Sequence, residues 1–162
     1  DQYMTVIHNK TAMLFQAASH SASVLAEADA ATEAALRDYG CHLGLAFQIV
    51  DDVLDYQGDP QAMGKNVGDD LAEGKATLPL IHAMATGTPD QKTLIRRAIR
   101  DGGLDNLAAI LEAVQATGAL EYSLERAGEH AHKARASLEN LPESSHRDAM
   151  FHLIDLAVDR AS

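Results

Sequence analysis

The chain has 162 residues, about one domain and enough to bury one hydrophobic core. An apolar share of 46% excludes a disordered chain, and 13 basic against 24 acidic residues (net charge −11) with no Lys/Arg cluster exclude a nucleic-acid binder. The lone Cys41 rules out an intrachain disulfide, which suits a cytoplasmic protein, and no apolar run approaches the ~18 residues of a membrane span.

The pattern is helical throughout, without alternating β-branched runs or hairpin signals. The first residue is Asp1, and Tyr3-Met4-Thr5-Val6-Ile7 already reads as the interior of an element. The sequence is therefore expected to be a piece of a longer protein. A first helix is predicted over roughly residues 2 to 26. A second starts near Asp29, a good N-cap, and runs to about Gln57, where Gly58-Asp59-Pro60 stops it. Residues 58 to 75 form one long glycine-rich irregular segment, and such segments in compact helical domains tend to be functional. A third helix spans about Thr77 to Ala85, with Pro79 tolerated in its first turn. Thr88-Pro89-Asp90-Gln91 is a capping box. Leu120, Leu124, Ala127, Ala131, Ala134, Leu138 and Leu141 share one helix face, and Ser145-His146-Arg147-Asp148 is read as the cap of the last helix. The predicted architecture is one all-α bundle.

The second helix carries the most informative run, Asp51-Asp52-Val53-Leu54-Asp55. With Asp51 at zero, Asp52 falls near ~100° and Asp55 near ~40°, with Gln48 and Gly44 inside the same sector. The rest of the circumference is apolar: Leu43, Leu45, Ala46, Phe47, Ile49, Val50, Val53, Leu54 and Tyr56. A solvated face is the plainer reading of an acidic pair on a helix. Here the narrowness of the polar sector argues instead for a buried helix with an acidic stripe. Crowded carboxylates need cations, and oxygen ligands from i, i+1 and i+4 suit an octahedral Mg²⁺ that keeps waters for a phosphate ligand. Zinc fits less well, because no His or Cys completes a tetrahedral set.

Lys65 and Lys75 each follow a glycine in the segment after this helix. Either alone could be an ordinary surface lysine. Beside a metal site, both suit an anion that the metal also holds, such as a diphosphate. Lys10 sits among Thr5, Val6, Met13, Leu14 and Phe15 on a helix expected to be mostly buried; an anionic ligand and a snorkelling side chain explain it equally. Asp69-Asp70 reads as loop charge that could order the segment. His130 and His132, two apart, point to different faces and should not share a metal.

The run from Gly44 to Tyr56 resembles the second aspartate-rich motif of trans-polyprenyl diphosphate synthases. Gly64-Lys65-Asn66-Val67-Gly68-Asp69-Asp70-Leu71-Ala72-Glu73-Gly74-Lys75-Ala76-Thr77-Leu78-Pro79-Leu80 resembles the segment that follows it, in wording nearest the bacterial octaprenyl type. Lys10-Thr11-Ala12 is similar to the family's upstream Lys-Thr motif. The resemblance implies an isoprenoid-synthase-type helical bundle, of which residues 1–162 are the C-terminal portion. It implies Mg²⁺-dependent condensation of isopentenyl diphosphate with an allylic prenyl diphosphate for quinone side chains, in a cytoplasmic homodimer. Asp51 and Asp52 would bind Mg²⁺, with Asp55 completing the stripe. Lys10, Thr11, Gln48 and Lys65 would contact the allylic substrate, and Lys75 would assist from the loop; Lys10, Asp51, Asp52 and Lys65 would be the catalytic set. The family's first aspartate-rich motif and its upstream basic residues are not in this sequence, so the chain alone is expected to be inactive. The alternatives are a short-chain (geranylgeranyl or farnesyl) synthase and a noncatalytic synthase subunit or interaction module.

Overall fold

The computed structural model describes residues 2–57, 67–102 and 105–161. Within them every regular element is helical. The chain begins with α1 (Gln2–Ile7), a π turn (His8–Ala12) and α2 (Met13–Leu25), then the long α3 (Ala30–Gln57). There follow α4 (Asp69–Ala72), α5 (Leu78–Thr86), α6 (Pro89–Asp101), α7 (Leu107–Ala116), α8 (Ala119–Leu138), α9 (Ser145–Val158) and a 3₁₀ turn (Asp159–Ala161). Among the described residues no helix is long and apolar enough to cross a membrane.

Local chemistry explains most of the boundaries. The Asp29 side chain accepts the Thr32 N–H at 2.7 Å and starts α3 as expected. At α6 the capping box closes both ways: the Gln91 N–H donates to Thr88 Oγ1 at 3.3 Å, and the Thr88 N–H donates to Gln91 Oε1 at 2.8 Å. The last helix is capped one residue earlier than the sequence suggested. Ser144, in extended backbone, accepts the Arg147 N–H at 3.2 Å, so Ser145 is already helical. The largest departure lies in the first helix, where the expected single run of residues 2 to 26 is interrupted by the π turn at residues 8–12.

The chain divides into two compact units, Asp1–Val50 with Arg126–Ser162 and Asp51–Glu125. The core of the first joins Tyr39, Leu43 and Ala46 of α3 to Ala131, Ala134 and Leu138 of α8 and to Ile154 and Ala157 of α9. Alanine on the α8 face leaves room for the larger residues opposite, the interdigitation expected of close-packed helices. In the second unit Tyr56, Leu71, Leu80, Ile95, Ile110 and Val114 gather residues of α3 to α7 into one apolar cluster. Leu71, Leu80, Ile95, Ile110 and Val114 are fully buried. Short helices such as α4 and α5 draw their stability from this packing, because isolated helices of their length are marginal in water.

Candidate functional site

In the first unit, the π turn sets the geometry. Thr11 Oγ1 donates to Gln48 Oε1 at 2.6 Å, joining the Lys-Thr pair to the long helix. Gln48 is 4% exposed, so this bond serves a polar group that water does not reach. The two backbones touch beside it. A side-chain carbon at Gly44 would stand 2.6 Å from Ala12 Cα, and one at Gly40 would stand 2.5 Å from the Phe15 carbonyl oxygen. Ser19, packed at Gly40, donates its hydroxyl to the Leu36 carbonyl at 2.7 Å. Lys10, on the π turn, is exposed, which suits the snorkelling reading and not a buried lysine.

In the second unit the acidic stripe lies along a largely buried stretch of α3. Val53 is fully buried and Leu54 nearly so, while Asp51 and Asp55 are half-buried and Asp52 is 3% exposed. The Asp55 main-chain carbonyl accepts the Gly68 N–H at 2.9 Å, and its carboxylate accepts the Asp70 N–H at 3.2 Å. Asp55 thereby anchors the first turn of α4, which Gly68 enters with φ +86°. Burial, with the negative charges of Asp70 and Asp69 beside it, pushes the Asp55 carboxyl up to about 6. The Asp70 main chain thus ties the start of α4 to Asp55. The Asp70 carboxylate accepts from Lys75 Nζ at 2.8 Å, and Glu73 receives the same ammonium at 2.6 Å. Those bonds raise the Lys75 ammonium above its ordinary range, the Asp70 bond first. Thr77 Oγ1 donates to the buried Tyr56 hydroxyl at 3.1 Å, and burial raises the tyrosine's pKa.

The sequence alone did not reveal the anchoring role of Asp55, the Lys75 pairing with Glu73 or the Thr77–Tyr56 bond. Each depends on how the chain folds back after Gln57. Lys65 lies outside the described residues.

A hard divalent cation suits this set. The donors are carboxylate oxygens only, and Asp55 stands among negative charges that a cation would offset. Among the described residues, however, no group of three or more His, Cys, Asp or Glu side chains stands ready to hold an ion. The convergence expected of Asp51, Asp52 and Asp55 is thus not preformed: the ~100° step from Asp51 turns Asp52 off the face that Asp51 shares with Asp55. One or two carboxylates with waters and phosphate oxygens are the usual protein share of a Mg²⁺ shell, so the set still fits that ion.

Comparison with known proteins identifies the family. The sequence profile of the family described as Polyprenyl synthetase matches residues 1–116. The chain is 50% identical over 161 residues to the octaprenyl diphosphate synthase of Escherichia coli (strain K12), covering 99% of this chain and 50% of that protein. It is 36% identical over 160 residues to a short chain isoprenyl diphosphate synthase of Methanothermobacter thermautotrophicus, covering 99% and 49%. The crystal structure of a polyprenyl synthase from Caulobacter crescentus CB15, complexed with calcium and isoprenyl diphosphate, superposes with a TM-score of 0.90 at 44% identity, covering 99% of this chain and 49% of that one. The chain thus spans about half the length of these relatives, and it belongs to the polyprenyl synthetase family.

Proposed function

We propose that this chain is the C-terminal half of an all-trans polyprenyl diphosphate synthase of the octaprenyl type. It would supply the second metal-binding half of a site that condenses isopentenyl diphosphate with an allylic prenyl diphosphate. The observation that carries this reading is the identity of 50% to an octaprenyl diphosphate synthase along nearly the whole chain, against 36% to a short chain synthase. The same reading makes the protein a cytoplasmic homodimer.

Mg²⁺, when bound, would neutralise charge on the departing diphosphate. Asp51 and Asp55, one turn apart on α3, would hold it with water, and Asp52 would act from its buried place beside them. Lys10 and Lys65 would bring ammonium charge to the diphosphate oxygens, and Thr11 with Gln48 would orient its allylic end. Lys75, held by Asp70 and Glu73, would support the loop and come to the anion by exchanging those partners. The buried apolar surroundings of α3 would keep water from the reacting carbon.

A chain of these residues alone is expected to bind Mg²⁺–pyrophosphate but not to elongate. The test is to supply the other half of the E. coli relative as a separate polypeptide and assay incorporation of labelled isopentenyl diphosphate. Activity in the mixture alone is the expected result. Elongation by the chain alone would overturn the half-site reading, and absence of pyrophosphate binding would overturn the whole.

A further inference from the structure

His42 on α3 and His130 on α8 stand 88 residues apart in the sequence, yet their Nδ1 atoms meet at 3.1 Å. The ring centroids lie 5.2 Å apart, well beyond the nitrogens, so the rings face one another through these two atoms and do not stack. Both residues belong to the first unit, and packing beside them holds them there. Leu43 follows His42 and Ala131 follows His130, and both neighbours are buried in the core that joins α3 to α8. The backbones are thereby fixed while the rings stay half-buried, open enough for an ion and its waters to enter.

Neutral imidazole ligates a metal and imidazolium does not. Burial lowers the His42 pKa, aided by Lys133 and opposed by Asp38. Burial also lowers His130, to about 4, with His42, Lys133 and Arg126 contributing. Both rings are therefore neutral at about pH 7. Nitrogen ligands stand about 2.0–2.1 Å from a zinc ion, which sets two of them about 2.9 Å apart at a right angle and about 3.4 Å apart in a tetrahedron. The observed 3.1 Å falls between these limits.

We propose that His42 and His130 form a two-imidazole site for a divalent transition ion, Zn²⁺ or Cu²⁺, which bridges α3 and α8 through the facing Nδ1 atoms and keeps water in its other positions. In the hydrogen-bonded pair one ring holds its hydrogen on Nδ1. To bind the ion, that ring gives its Nδ1 proton to water and takes one on Nε2, so both rings stay neutral and both Nδ1 lone pairs face the metal. Among the described residues no further His, Cys, Asp or Glu completes a ligand set, so the ion exchanges with solvent rather than being locked in. Lys133 and Arg126 repel the incoming charge, and Asp38 attracts it. The site therefore selects an ion with a strong preference for imidazole; Mg²⁺, which prefers oxygen, does not compete. None of the residues assigned to the diphosphate takes part.

The test is calorimetric titration of the full chain with Zn²⁺ at about pH 7, with Mg²⁺ in excess to occupy the carboxylates. Wild type should bind Zn²⁺ at least about tenfold more tightly than His42→Gln or His130→Gln. His132→Gln, which removes an exposed ring on another face of α8, should match wild type. Zn²⁺ should also raise the melting temperature of wild type and leave that of the two glutamine variants at His42 and His130 unchanged. Equal affinity in wild type and both variants overturns the inference, as does an equal loss in His132→Gln. If the variants at His42 and His130 do not fold, Cu²⁺ bound to wild type decides by electron paramagnetic resonance. Coupling to two imidazole nitrogens that persists in His132→Gln supports the bridge, and coupling to one or none overturns it. Either result leaves the prenyl diphosphate reading where it stands, since pyrophosphate binding tests that separately.

Discussion

The two units solve opposite electrostatic problems. In the first, Thr11 and Gln48 are neutral and satisfy one another: Thr11 donates to Gln48 at 2.6 Å where the backbones of the π turn and α3 touch. In the second, carboxylates crowd one another, and Asp55 is raised to about 6 by burial and by Asp70 and Asp69. A short, buried, neutral bond loses nothing when the site is empty. A cluster of like charges stores repulsion that a cation releases, so binding energy is concentrated there. The first unit is thus built for fixed geometry, whereas in the second a divalent cation would relieve the repulsion around Asp55.

The sharpest way to break this contrast is to remove charge from the second unit without removing hydrogen-bond acceptors. Asp51→Asn should weaken Mg²⁺–pyrophosphate binding about a hundredfold in calorimetry. Asp55→Asn should weaken it as well, yet its amide oxygen still accepts the Asp70 N–H, so the melting temperature without metal should not fall. A clear loss of stability in that variant would show that the Asp55 charge holds α4 rather than awaits a cation. In the first unit the corresponding change is Thr11→Val, which keeps the shape and removes the donor to a buried oxygen. It should cost about 1–2 kcal/mol in denaturant unfolding, by the same amount with and without Mg²⁺. A cost that vanishes on adding metal would mean that the pair is ligand-dependent after all.

Much of this contrast was legible in the sequence because it follows from periodicity. Asp51, Asp55 and Gln48 share a sector by helical spacing, and Asp29 and Thr88-Pro89-Asp90-Gln91 announced their helix starts through capping chemistry. The π turn around Lys10 was not legible. It packs where Gly44 meets Ala12, and contacts between segments over 30 residues apart leave no local signal. The three-carboxylate convergence failed for a related reason: spacing gives angles about an axis, whereas ligation requires rotamers and neighbours. Lys75 was expected to meet an anion beside the acidic helix, and here its ammonium pairs with carboxylates. Its partners Asp70 and Glu73 come from the turn that α4 makes, which composition alone does not specify.

A second neutral pair in the first unit tests whether that unit is sensitive to protons where the other is sensitive to metal. His42 Nδ1 and His130 Nδ1 lie 3.1 Å apart, joining α3 to α8, so one ring must donate and the other must keep its lone pair free. Desolvation lowers His42, aided by Lys133 and opposed by Asp38. Desolvation also lowers His130, to about 4, with His42, Lys133 and Arg126 contributing. Because the folded pKa lies below the ordinary value of 6.5, the unfolded chain binds more protons between those two limits. Stability is therefore complete above about pH 6.5 and declines as pH falls toward 4. With both rings only half-buried, solvent screening reduces the contribution to about 1 kcal/mol. His130→Gln should flatten that decline, so the stability difference between variant and wild type should narrow steadily as pH drops. A difference that stays constant with pH would mean that the rings pack without sharing a proton.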